Sequence, residues 1–370
     1  MLQAVRRRVV LIAPKALPYL DSTVNGVFGG AEVQLSLLAK EFASRGFDVT
    51  VLVGDYGQEK TIRIDGLKCR RAFRASHPPA VQFLSILFHL MLRPRSIVMQ
   101  RTLTPVSGIL AVITRAFLGK FVYMVAHDRE TDGTHRLFAS PHGRLAAHMC
   151  FTLSSLVVTQ NEEERQKLRK TYRRARILLN KKGVTDATVR SEPQSIAYSA
   201  IWIGRSEHWK DPELFLHLSK SLPELRFLMI CSCATNEHEF FHHLRSEASA
   251  ISNLDFIPGT HSDEVAYFLQ RTKCYLFTSI SEGDWPMVVL EAASFGLPII
   301  AYHRSYDFLI DQYDGGVFVD GDFERLKREV RLLDTDETKR RIMGEGAQRY
   351  VNDHHNIQRA VSKLIASLEL

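Results

Sequence analysis

The sequence predicts an α/β protein: two Rossmann-like, doubly wound parallel-sheet domains facing across a cleft. Three observations predict it. At 370 residues the chain exceeds what one hydrophobic core ordinarily organises. Short β-rich runs alternate with longer amphipathic segments through both halves, the pattern of parallel strands joined by crossover helices. Between the halves the alternation lapses at 185–199 (TDATVRSEPQSIAYS), which is polar, weakly periodic and carries Pro193, and then restarts.

In the first half 9–13, 49–53, 96–100, 122–125 and 156–159 read as strands, with amphipathic segments at 31–45, 81–92 and 105–118. In the second half 200–203, 226–231, 254–257, 274–279 and 298–302 read as strands, with helices at 212–219, 238–250, 265–271 and 288–295. The expected organisation is a first domain at 1–184, a linker at 185–199, and a second domain at 200–338. A closing helical segment at 339–370, apolar at Tyr350, Val351, Ile357, Val361 and Leu364, is expected to pack back toward the first domain. Two such domains place a ligand at the carboxyl ends of their strands.

Composition narrows the function. With 45% apolar and 24% charged residues the chain reads as globular rather than disordered. Its net charge of +7 is concentrated at 165–182, from Arg165 and Lys167 to Lys181 and Lys182. A solvated helix face explains this, and so does attraction to an anionic surface, phospholipid or acidic glycan. Nucleic acid is not indicated, because only Tyr172 interleaves with these charges to stack on bases. Five scattered cysteines form neither a disulfide framework nor a zinc pattern, which suggests a reducing, cytoplasmic setting. The apolar run after Arg6-Arg7-Arg8 is short and ends at Pro14, and 81–92 falls short of the ~20 residues of a membrane span. The expectation is a cytoplasmic protein, with peripheral attachment to the inner membrane face through 165–182 as its membrane option.

Three motifs carry chemistry. Gly29-Gly30-Ala31-Glu32 opens a helix, where backbone amides and the positive helix end face a phosphate or sugar, or where the glycines simply make a tight turn. It lacks the third glycine of a dinucleotide fingerprint, so no nicotinamide cofactor is indicated. Gly204-Arg205 ends a strand and Lys210-Asp211-Pro212 starts a helix, so two cations leave one strand toward a common anionic group, or lie on the surface as ordinary loop charges. The segment 278–298 (TSISEGDWPMVVLEAASFGLP) is the most specific: a polar loop, Pro286 at a helix start, and Gly296 where that helix stops. Glu291 lies inside this helix among Val288, Val289, Leu290 and Ala292, where a carboxylate is expensive to bury, and helical side chains lean toward the helix start.

On these residues the chain resembles the retaining GT-B glycosyltransferases of family four, most strongly over 200–302. The resemblance implies a GT-B fold and a nucleotide-sugar donor, a UDP- or GDP-sugar. It assigns Glu282 to the donor sugar hydroxyls, Glu291 to the ribose, and the amides near Met287 and Val288, beyond Gly283, Asp284, Trp285 and Pro286, to the phosphates. Arg205 and Lys210 match the family's basic pair on the diphosphate, Gly30 with Gly29 its glycine turn, and Ile257 a backbone contact to the base. His127, before Asp128, matches a histidine near the reacting carbon. The chain departs from the pattern twice. Eight residues rather than seven separate Glu282 from Glu291, so either Glu282 or Asp284 is the first donor-site carboxylate. Lys181-Lys182 also replace the proline-containing turn usual before Gly183.

The implied reaction is transfer with retention to a glycan or lipid-linked acceptor in cell-surface polysaccharide or glycolipid synthesis. No metal and no cofactor are expected, and Asp320-Gly321-Asp322 and Asp334-Thr335-Asp336 read as structural. Two alternatives stand beside it: a catalytically decayed nucleotide-sugar-binding partner, and a phosphorylase or epimerase on the same fold.

Overall fold

The computed structural model describes residues 7–74, 76–185, 195–234, 236–260 and 262–369. The chain divides into two compact units, 1–185 with 356–370, and 186–355. Arg6 and most of the 185–199 stretch, residues 186–194, lie outside the described residues.

The first unit holds an eight-stranded sheet of β1 (Arg8–Ile12), β2 (Asp48–Gly54), β3 (Thr61–Ile64), β4 (Leu67–Phe73), β5 (Ile97–Arg101), β6 (Lys120–Met124), β7 (Leu156–Thr159) and β8 (Ile177–Leu179). Their order is β3-β4-β2-β1-β5-β6-β7-β8. All neighbours run parallel except the β3/β4 hairpin. The chain order reverses between β1 and β5, so this is the sheet's topological switch point. The hairpin is an addition to the expected strands. Its two-residue turn, Asp65-Gly66 at φ 49° and 80°, is the left-handed pair that such turns demand.

Val10 and Ile12 of β1, Val98 of β5, Phe121 and Tyr123 of β6 and Val157 of β7 share one buried cluster with helices Pro79–Met91, Ser107–Ala116 and Pro141–Leu153. These helices therefore lie side by side on one face of the sheet. Gly108 makes the closest approach: a Cβ there would stand 2.6 Å from the Ala146 carbonyl oxygen and 2.8 Å from Met149 Cβ. Gly108→Ala is expected to destabilise the chain by about 1–3 kcal/mol through overpacking, read as a lower midpoint in urea denaturation.

Helix Gly30–Ser44 packs instead against helix Ile357–Ser367 from the end of the chain. The latter is held by Asn180 Nδ2 donating to the Ala360 carbonyl at 2.9 Å, and Gly183 leaves room for Ile357, whose Cα a Cβ would meet at 2.7 Å.

The second unit is a six-stranded, all-parallel sheet in the order β11-β10-β9-β12-β13-β14. Its strands are β9 (Tyr198–Arg205), β10 (Phe227–Ser232), β11 (Leu254–Ile257), β12 (Thr272–Phe277), β13 (Ile299–Ala301) and β14 (Gly316–Phe318). Strand order reverses between β9 and β12, which makes their carboxyl ends the switch point of this sheet. Helix Glu337–His354 belongs to this unit and packs on helix Met287–Ser294. Gly344 permits the approach, since a Cβ there would stand 2.1 Å from the Gly296 carbonyl oxygen. The closing helical stretch thus divides at His355, one helix in each unit. Among the described residues no helix is long and apolar enough to cross a membrane.

Candidate active site

Side-chain hydrogen bonds stitch together the loops leaving β9 and β12. Trp202 Nε1 donates to Thr278 Oγ1 at 2.8 Å, and that hydroxyl donates to the Lys210 carbonyl at 2.6 Å. The Ile280 amide donates to the Trp209 carbonyl at 2.8 Å. Asp211, at φ 49°, holds His303 Nε2 at 2.7 Å. Gly204 leaves room for the Trp202 ring, which a Cβ there would meet at 2.6 Å.

These bonds bring Lys210 and Glu282 together. The ammonium pairs with Glu282 Oε1, lies 4.3 Å from the Trp209 ring centroid, and both charged side chains are largely buried, 16% and 14% exposed. Ser279 Oγ donates to the same carboxylate oxygen at 3.3 Å. Tyr306 fixes the loop backbone, its hydroxyl accepting from the Glu282 amide and donating to the Glu282 carbonyl, each at 2.9 Å. Arg205 leaves the same strand as Lys210 but is more open, 40% exposed and paired with Glu207 at 3.0 Å.

Helix Met287–Ser294 begins beside this pair. Its cap residue is Pro286, whose side chain accepts nothing, so the Met287 and Val288 amides have no side-chain cap. A small cavity of about 10 Å³ is lined by Lys210, Thr278, Ser279, Pro286 and Val288, which shows these groups converging. Glu291 follows one turn on, half-buried, and among the described residues no hydrogen bond or ion pair reaches its carboxylate. Burial pushes it up to about 7. Burial likewise raises the Tyr275 phenol, with the nearby Glu282 and Glu291 charges adding to the effect.

The additional residue between Glu282 and Glu291 is accommodated by turning the loop inward after Gly283. Trp285 is fully buried against Phe277 and Tyr306, with ring centroids at 5.3 and 5.5 Å. Asp284 is 7% exposed and its Oδ1 accepts from the Trp285 amide at 2.8 Å. Glu282, and neither Asp284 nor Trp285, stands with Lys210. Ile257 ends the edge strand β11, two strands from β9, and its carbonyl accepts from the Gly259 amide at 2.8 Å.

The remaining candidates lie on the first unit. Gly29 precedes helix Gly30–Ser44 and its amide is taken by Glu32 Oε2 at 3.0 Å, so the glutamate already occupies one donor of this turn. His127 is half-buried after β6, and its Nδ1 accepts from the Arg129 amide at 3.2 Å, which leaves the neutral ring's proton on Nε2. Glu130, which the motifs did not point to, secures this loop. Its buried carboxylate accepts from the Leu103 amide at 3.0 Å, the Ala126 amide at 2.9 Å and the Tyr123 hydroxyl at 2.7 Å. Burial raises the Asp128 carboxyl, against hydrogen bonds from Asn161 and Glu164.

The late acidic residues have structural partners. Asp322 caps helix Phe323–Thr335 and Asp336 caps helix Glu337–His354, each accepting a backbone amide at 2.8 Å. Asp334 accepts from Ser199 Oγ at 2.6 Å and pairs with Lys273 at 2.7 Å. Among the described residues no group of three or more His, Cys, Asp or Glu side chains is arranged to hold a metal ion.

Residues 192–350 match the family described as glycosyl transferases group 1. An uncharacterized glycosyltransferase of Methanocaldococcus jannaschii is 24% identical over 170 residues, 44% of this chain and 42% of the relative, so the match spans less than half of that protein. The fold matches sucrose-phosphate synthase of Thermosynechococcus elongatus with a TM-score of 0.75 at 14% identity, covering 97% of both chains. It also matches Anabaena HepE, solved in complex with UDP and glucose, with a TM-score of 0.76 at 14% identity over 98% of this chain and 100% of that one. Residues 192–350 thus carry the likeness to the glycosyl transferases group 1 family, and the two doubly wound sheets share the GT-B fold of these solved structures.

Proposed function

We propose that this chain is a retaining hexosyltransferase that moves a sugar from a UDP- or GDP-sugar to a glycan or lipid-linked acceptor, in the synthesis of a cell-surface polysaccharide or glycolipid. The observation that carries this reading is the convergence of Lys210, Glu282 and an uncapped helix start at the β9/β12 switch point, beside the unpartnered Glu291. Lys210, Arg205 and the amides of Met287 and Val288 take up the charge of the departing nucleoside diphosphate. Glu291 accepts from the ribose hydroxyls and Glu282 from those of the sugar. The inward turn of Asp284-Trp285 supports Glu282 for that role. For Ile257, Gly29, Gly30 and His127 the roles are those that the resemblance assigns.

As the bond from the anomeric carbon to phosphate oxygen breaks, the acceptor oxygen bonds to that carbon from the same face, and its proton passes to the leaving phosphate. The charge is met by protein groups, so the reading needs no metal. The UDP and glucose in the HepE complex support a uridine donor as the first to test.

The test is a thermal-shift screen against UDP-, GDP-, ADP- and dTDP-sugars with the wild type, Arg205→Ala and Glu291→Ala. Stabilisation by one nucleotide class, lost in both variants, is the expected result. No shift with any donor overturns the reading. Binding without nucleotide diphosphate release across varied acceptors transfers it to a non-catalytic nucleotide-sugar-binding partner.

A further inference from the structure

Of the large apolar side chains left exposed, a third of the way through the first unit stands a concentrated set. Val81, Leu84, Phe88 and Met91 are 43%, 60%, 58% and 52% exposed on helix Pro79–Met91. Their spacing of three and four residues puts them on one stripe of that helix. The opposite stripe, with Ile86 and Leu90, is buried against the sheet. The neighbouring helix Ser107–Ala116 lies on the same face of the sheet and exposes Ile109 and Val112. Large apolar side chains exposed together on neighbouring helices of one sheet face mark an interaction site.

Charge selects the occupant. From Gly66 to His127 there is no Asp or Glu, against nine Lys and Arg. Arg95 and Arg115 are exposed in this span, Arg74 is exposed but pairs with Asp55 at 2.6 Å, and Arg93 lies half-buried at the end of the apolar helix. A second copy docked two-fold on this face would set arginine against arginine. An anionic bilayer meets both requirements, apolar side chains entering the acyl boundary and arginines the headgroups. The basic stretch at 165–182 fits this less well, because among the described residues it exposes no large apolar side chain to insert, and at least three of its nine cations are paired within the unit: Arg165 with Glu162, Lys167 with Glu163 and Arg176 with Glu369.

We propose that the outer face of helices Pro79–Met91 and Ser107–Ala116 docks the protein on an anionic lipid surface. The inference stands apart from the donor reading, because vesicle binding is measured without any sugar transfer.

The experiment is co-sedimentation of the full chain with vesicles of phosphatidylcholine alone or mixed with phosphatidylglycerol, at low and raised salt. It is repeated with Leu84→Glu/Phe88→Glu and with Lys170→Glu/Arg173→Glu, each checked for an unchanged melting temperature. The wild type is expected to bind the mixed vesicles, more weakly as salt rises. The first variant is expected to lose at least about tenfold in binding by removing apolar insertion, and the second to retain most of it. Because the exchanged side chains are exposed, the fold is expected to tolerate both. Equal binding to both vesicle types, no binding, or loss only in the second variant overturns the proposal. So does a dimer in light scattering that the first variant dissociates while vesicles fail to bind.

Discussion

Lys210→Ala is expected to lower kcat about 10²–10³-fold, the loss that follows removal of one preorganised group from a developing anion. Lys210 and Glu282 neutralise each other while largely withdrawn from water. In the proposed role, a nucleoside diphosphate would bring negative charge to this ammonium and free the carboxylate to accept from hydroxyls, so the pair would exchange partners as the donor binds. Removing Lys210 alone also strands Glu282 without its counter-charge, which costs stability and complicates any reading of activity. Lys210→Ala/Glu282→Gln resolves the two effects. The double variant is expected to recover most of the melting temperature and none of the rate, measured as acceptor-dependent release of nucleoside diphosphate. A double variant with wild-type rate would reduce Lys210 to a structural partner of Glu282.

What the sequence makes legible here follows from how each feature is encoded. Strands β9 and β12 are buried on both faces and appear as apolar runs, and helix Met287–Ser294 is bracketed by Pro286 and Gly296, so both are visible locally. The hairpin β3/β4 escaped the strand count although Asp65-Gly66 signals it, because β3 is a polar edge strand with no apolar run. Strand β14 has three residues and depends on pairing with β13 rather than on its own pattern. The closing segment reads as continuously helical, and only packing decides that Glu337–His354 and Ile357–Ser367 join different units.

The same limit applies at the site. Lys210 and Glu282 stand in recognisable motifs, yet their pairing joins positions 72 residues apart. Tyr306 holds the Glu282 backbone from 24 residues away, in a segment with no motif. Trp209 and Thr278 act through ring contact and a relayed hydrogen bond that side-chain type alone does not announce. Asp284-Trp285 shows the converse: the eight-residue spacing is visible in the sequence, while the seating of Trp285 against Phe277 and Tyr306 is not.

Glu291→Gln is expected to move stability and affinity in opposite directions. The Glu291 carboxyl, held up to about 7 by burial, lies above its ordinary 4.5. Below 4.5 it is protonated in folded and unfolded chains alike and costs nothing. As pH rises from 4.5 through 7 the unfolded chain releases the proton more readily, stability falls, and above 7 the full penalty remains. Allowing for the residue's partial exposure, that penalty is about 2 kcal/mol. The glutamine variant should therefore melt higher than the wild type at pH 8 and near the wild type at pH 5. Its affinity for the nucleotide sugar should fall by roughly tenfold or more, because an amide offers one acceptor oxygen where an ionised carboxylate offers two charge-assisted ones. Wild-type affinity should also weaken as pH drops below 7, since binding then has to displace the proton, while the variant stays flat. Thermal denaturation and donor titration across pH 5 to 8 measure all three. A variant less stable than the wild type at pH 8 would mean that Glu291 serves the fold, whereas the crossed pattern is what a carboxylate kept at a cost for its ligand must show.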